Sequence, residues 1–176
     1  MKKALSVILF ISVLLVLAGL ALVQARYKVA TTEELENNCY SKSGEYFEAQ
    51  RSLGLIVQDK ALFAVRLESE NNFSPPGGHI EPGETPVEAL KREYGEELRV
   101  KPSVGEKDLY KVECELLENN TKLRTYYYTV DGWTGTLQPK ASTETKWVDS
   151  TYIASGSTDT ELAQALTYLK SDNLVN

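Results

Sequence analysis

The chain contains one histidine, one methionine and two cysteines in 176 residues. A single histidine leaves little for chemistry that needs several His or Cys side chains acting together. The two cysteines, Cys39 and Cys114, read as buried thiols, with one disulfide as the alternative. Positive charge is also scarce, 19 Lys+Arg against 25 Asp+Glu, and Lys2, Lys3 and Arg26 fall in the first 26 positions. The remainder carries 16 basic and 25 acidic side chains, a net charge of −9. That excludes the basic footprint of a protein that binds nucleic-acid polymers. No internal repeat and no low-complexity segment is present, which sets repeat architectures aside. Two matches to the glycosylation sequon, Asn72-Phe73-Ser74 and Asn119-Asn120-Thr121, mean little unless the compartment is known.

One long apolar run is present. Lys2 and Lys3 precede twenty uncharged residues, Ala4 to Val23, dominated by Leu, Val, Ile and Ala. A signal-peptide apolar region spans about 7–15 residues, whereas a membrane-spanning helix needs about 20. The length favours an uncleaved single span through residues 4–23, with secretion after cleavage near Val23-Gln24-Ala25 as the alternative. Lys2, Lys3 and the amino terminus face Arg26 and Lys28 across the run, a difference of one charge. That places the rest of the chain on the extracytoplasmic side by a small margin. The domain organisation expected is 1–26 as anchor or signal, 27–49 as linker and 50–176 as one folded domain.

The densest chemistry lies between Gly77 and Val100. A Gly/Pro-rich loop, Gly77-Gly78-His79-Ile80-Glu81-Pro82-Gly83-Glu84, runs into a segment with strong helix signals. Thr85-Pro86-Val87-Glu88 reads as a capping box with Pro at the first helical position. Val87, Leu90 and Tyr94 form a core-facing stripe at helical spacing, and Gly95 suggests close approach of another element. At about 100° per residue, with Glu93 at zero, Glu96 falls near −60° and Glu97 near +40°. Three carboxylates on one arc repel unless a cation sits among them. A hard divalent cation with oxygen ligands suits that place, and the adjoining helix N-terminus favours phosphate.

This stretch resembles the Nudix box. Gly78 opens the pattern, Glu84 follows at the required distance, Arg92-Glu93 come after seven more residues, Glu96-Glu97 complete the acidic set, and Val100 fills the last apolar place. Tyr94 stands where a smaller aliphatic is usual, and Arg99 replaces the closing Gly. An Arg there is expected to adopt a left-handed conformation at the helix end, at about 1–2 kcal/mol.

Around the box, Ser52–Gln58 and Ala61–Leu67 read as a hairpin about Asp59-Lys60. Leu109–Leu116 alternates as a strand, Lys122–Val130 forms its partner, and Thr145–Val148 is a short strand. Thr31–Asn38 is a short helix or tether. Thr158-Asp159-Thr160-Glu161 reads as a second capping box, opening a helix with Leu162, Ala165, Leu166 and Leu169 on one face. Strands interleaved with two amphipathic helices indicate a mixed sheet between helical layers. The resemblance implies the same α/β class, a Nudix-like α/β/α sandwich over roughly residues 50–170, here preceded by one N-terminal hydrophobic helix.

The resemblance further implies an Mg²⁺-dependent hydrolase, with Mn²⁺ as the alternative ion, that splits a diphosphate linkage in a small nucleoside di- or triphosphate derivative by water attack on phosphorus. Glu93, Glu96 and Glu97 are the implied metal ligands, with the Gly77 carbonyl as a further one. Arg92 orients the glutamates and Glu84 braces the loop. The base is Glu93 or a carboxylate outside the box, for which Glu144 in Ala141-Ser-Thr-Glu-Thr-Lys-Trp147 is the candidate. Gly78 and His79 lie beside the substrate phosphate, with loop packing as the competing reading for His79. Tyr126–Tyr128 and Trp133 read as sheet packing, or on one side as a stacking surface. The ADP-ribose type would show Pro where this chain has Cys114-Glu115, so a nucleoside triphosphate or generalist activity is left. The alternative is a Nudix-fold nucleotide-binding module without turnover.

Overall fold

The computed structural model describes residues 32–41, 45–155 and 159–176. The apolar run at 4–23, and with it the expected span, lies outside the described residues. Among the described residues no helix is long and apolar enough to cross a membrane.

In chain order the elements are α1 (Thr32–Cys39), β1 (Ala49–Leu55), β2 (Val57–Gln58), β3 (Ala61–Leu67), β4 (Gly77–His79) and α2 (Pro86–Glu97). They continue with β5 (Lys101–Pro102), β6 (Leu109–Leu116), β7 (Lys122–Thr129), β8 (Trp133–Thr134), β9 (Thr143–Val148) and α3 (Thr160–Ser171). One mixed sheet runs β4-β1-β7-β6. Its central pair, β1 and β7, is parallel, while β4 and β6 add antiparallel on either side. A second, antiparallel sheet runs β2-β3-β9, and β5 pairs with β8.

The expected hairpin is shorter than its apolar pattern. Ser52–Gln58 splits at Ile56: β1 joins β7 and β4, and only Val57 and Gln58 pair with β3. The turn itself holds, with Asp59 at φ 50° and Lys60 at φ 65°. Two consecutive left-handed residues are what a two-residue hairpin with right-twisted strands requires. The C-terminal tail braces it, with the Asn176 N–H on the Lys60 carbonyl at 3.1 Å.

Strand alternation distributes the core to both faces. Leu53, Leu55, Leu62, Ala64 and Tyr127 point to α3 and pack with its Leu162, Ala165, Leu166 and Leu169. Phe63, Val65 and Tyr128 point to α2 and pack with its Val87, Leu90 and Tyr94. Period two on the strands meets period 3.6 on the helices, and the sheets become the filling of an α/β/α sandwich. Tyr127 and Tyr128 are spent on the two cores, and Tyr126 lies against the Arg124 guanidinium at 5.2 Å.

Three local expectations are corrected. Cys39 and Cys114 form a disulfide, not two free thiols, and fasten α1 to β6 across a sequence separation of 75. The cap of α3 is Asp159, whose carboxylate accepts from the Leu162 N–H at 2.7 Å; Glu161 instead pairs with Arg51 on β1. No element approaches Gly95: a Cβ there would meet open space.

Candidate active site

Helix α2 begins as its sequence dictates. The Thr85 hydroxyl accepts from the Glu88 N–H at 3.2 Å, and the Glu88 carboxylate accepts from the Thr85 N–H at 2.8 Å. Its end is set by Arg99 at φ 58°, the left-handed residue expected where the resemblance places Gly. The loop after β8 then runs along that end: the Gln138 and Lys140 N–H groups donate to the Leu98 and Glu97 carbonyls at 3.0 and 3.1 Å. These bonds satisfy terminal carbonyls that a helix leaves open.

Tyr94 fits because of Gly54. A Cβ at Gly54 would lie 2.1 Å from the Tyr94 hydroxyl, so the bare backbone of β1 supplies the room that the large ring takes. The ring is fully buried and its hydroxyl has no hydrogen-bond partner.

Arg92 organises the loop and the helix together. Its Nε and Nη2 donate to the two Glu84 oxygens at 2.8 and 3.1 Å, a fork-to-carboxylate contact. Nη2 also donates to the His79 carbonyl at 2.9 Å, Nη1 donates to Glu93 at 2.7 Å, and Glu96 stands 3.7 Å away. Glu84 in turn accepts from the Glu81 N–H at 2.9 Å. Arg92 and that N–H hold the Glu84 carboxyl below its ordinary pKa. Gly78 is required by this cluster: a Cβ there would fall 2.5 Å from a Glu93 oxygen. Gly77 is required by the sheet, since it sits at φ 135° and a Cβ would lie 2.2 Å from the Ser52 carbonyl.

Glu97 is buried, 7% exposed, and accepts from the Gly77 N–H at 3.0 Å. Burial pushes its carboxyl up to about 7; the charges of Glu93 and Glu70 add to this, and the Gly77 N–H and Lys140 oppose it. An anion so disfavoured gains from a cation nearby.

The structure thus gathers Glu84, Arg92, Glu93, Gly77, Gly78 and the His79 carbonyl, with Glu97 behind them. The His79 side chain is exposed. Glu144 makes no contact with this cluster: it lies on β9 opposite Arg66 of β3, with the Arg66 guanidinium 2.6 Å from its carboxylate. Arg66, Glu70 and Lys140 had no signal in sequence, because only the sheet pairing and the loop over α2 bring them near. Among the described residues no three His, Cys, Asp or Glu side chains converge as a ready metal cluster. Arg92 holds Glu93 and Gly77 holds Glu97, while Glu96 remains half exposed. The donor set is nonetheless all oxygen and acidic, which fits Mg²⁺ or Mn²⁺ and not a soft metal.

Residues 48–165 match the NUDIX domain. The chain belongs to the Nudix family and is a Nudix hydrolase. Solved structures agree on the fold. The ORF135 protein of E. coli superposes with TM-score 0.57 at 19% identity, over 76% of this chain and 99% of that one. A NUDIX hydrolase from Nitrosomonas europaea gives 0.56 at 18%, over 72% and 90%. The MutT protein of Methanosarcina mazei gives 0.57 at 18%, over 71% and 94%. No match was found among curated protein sequences. Members of the family generally use divalent metal ions.

Proposed function

We propose that the protein hydrolyses a diphosphate linkage in a nucleoside di- or triphosphate derivative, with Mg²⁺ bound by Glu93, Glu96 and Glu97. The observation that carries this reading is the pairing of an Arg92-braced Glu84/Glu93 cluster with a buried Glu97 whose carboxyl sits near 7. When bound, the ion supplies charge neutralisation at the phosphate oxygens and acidifies a water. Arg92 fixes the Glu93 carboxylate against Gly78, so its position is set before substrate arrives. Glu84 locks the loop through the Arg92 fork and the Glu81 N–H. Glu93, or Glu144 on β9, would accept the proton of the attacking water. The Gly77 carbonyl is an additional oxygen donor at the same place.

The domain is further proposed to stand outside the cytoplasm, tethered by residues 4–23. The Cys39–Cys114 disulfide supports this side, because disulfides persist in oxidising compartments. The substrate is a small molecule and not a nucleic-acid polymer, in keeping with the acidic composition. Phosphate release with Mg²⁺, compared between wild type and Glu97→Gln, tests the hydrolase reading. Turnover lost in the variant supports it, and equal turnover in both refutes it.

A further inference from the structure

A cavity of about 540 Å³ has Arg66, Glu68, Glu70, Ser142 and Glu144 on its wall. That volume accommodates a small organic ligand. Three observations join the cavity to the hydrolytic cluster. The charge of Glu70 is felt at Glu97. The loop carrying Ala141 and Ser142 is the one pinned to the end of α2 by the Gln138 and Lys140 N–H groups. Val65, next to Arg66, exchanges two backbone hydrogen bonds of 2.8 Å with Ser74, in the segment that feeds Gly77.

Among the described residues Arg66 is the one cation on that wall, and three carboxylates share the wall with it. A phosphorylated ligand entering there is repelled by Glu68, Glu70 and Glu144 and attracted by this guanidinium. Arg66 is held in place from below, 5.0 Å over the Phe73 ring. Its present partner is easily displaced. The Arg66 and Glu144 side chains are 34% and 66% exposed, and solvated pairs of this kind are weak. A phosphate offers the same fork two strongly accepting oxygens and more charge.

We infer that Arg66 binds a phosphate group of the substrate and that Glu144 is the resident counter-ion which this phosphate displaces. The inference rests on the reading of a diphosphate substrate. It adds that binding releases Glu144 from its ion pair at the moment substrate occupies the cavity. Glu144 is thereby unpaired, on the cavity wall, only when there is a water to activate.

The test is calorimetric titration of the full chain with imidodiphosphate and Mg²⁺, for wild type, Arg66→Ala, Arg66→Lys and Glu144→Gln. Arg66→Ala should weaken binding roughly 10–100-fold. Arg66→Lys should recover part of it, keeping the charge without the fork, and it carries the test if Arg66→Ala fails to fold. Glu144→Gln should tighten binding about two- to five-fold, because the competitor is gone. Unchanged affinity in a folded Arg66→Ala protein, weaker binding in Glu144→Gln, or no binding to wild type would each overturn the inference. Mg²⁺-dependent turnover that is lost in Glu97→Gln but indifferent to Arg66 would sink this inference and leave the hydrolase reading standing.

Discussion

Gly78, Glu97 and Tyr94 show how single residues set this site. At Gly78 the obstacle to a side chain is the movable end of Glu93, not backbone. Gly78→Ala is therefore expected to leave the thermal midpoint nearly unchanged while displacing Glu93 and lowering kcat at least about tenfold. Parallel turnover and melting curves would show this, and a kcat equal to wild type would contradict it. Glu97→Gln keeps an oxygen for the Gly77 N–H and removes a buried charge. It should abolish turnover yet raise the stability of the metal-free protein above about pH 7, by roughly 1–2 kcal/mol in denaturant titration. The spacing Gly78, Glu84, Arg92, Glu93, Glu96, Glu97 was legible in the sequence because one loop and one helix carry it all. Arg66 and Glu70 were not, since they reach the site only through strand pairing and a loop contact.

Among the elements, α2 was readable from period and caps, α3 from its period, β6 from alternation and β7 from its run of strand-forming residues. Errors arose where one signal served two partners. The apolar run Ser52–Gln58 looked like half a hairpin, but most of it lies in a different sheet, a choice made by long-range pairing with β7. The box expected over residues 158–161 gave way to a cap by Asp159, with Glu161 taken by Arg51. The contact of α2 with β1 through Tyr94 and Gly54 gives a clear expectation. Gly54→Ala would drive a methyl into a fully buried ring and should cost about 1–3 kcal/mol. Tyr94→Phe removes a hydroxyl that has no partner and should be neutral or stabilising, within about 1 kcal/mol. Urea midpoints of the two variants check the pair; a strongly destabilised Tyr94→Phe would mean that the hydroxyl does work not seen here.

Across the described residues the short helix α1, three sheets and the flanking helices α2 and α3 pack into one unit, and its stability should depend on pH in a defined direction. Glu97 and Asp159 both have carboxyls pushed up to about 7, chiefly by burial. The folded protein therefore holds protons that the unfolded chain releases at its ordinary carboxyl values. The stability from these groups is complete below those ordinary values, about 4, and is lost as pH rises through about 7. The metal-free thermal midpoint should fall between about pH 5 and about pH 8, and Mg²⁺ should restore part of it at the upper end. A midpoint that rises over that interval would contradict the burial of these two acids. Reducing the Cys39–Cys114 bond frees a loop closed over a separation of 75 residues and should cost about 2–4 kcal/mol. The sequence left that bond open, because two cysteines in an unknown compartment specify neither state.

The central claim is metal-dependent cleavage of a diphosphate bond, and one assay addresses it directly. The full chain would be given Mg²⁺ and, in turn, nucleoside triphosphates, dinucleoside polyphosphates, ADP-ribose and NADH, with release of phosphate or pyrophosphate followed in wild type and Glu97→Gln. The account expects turnover on at least one of these substrates, abolished by chelation and reduced at least about 100-fold in the variant. Absence of turnover on every substrate, or turnover that survives both chelation and Glu97→Gln, would contradict it.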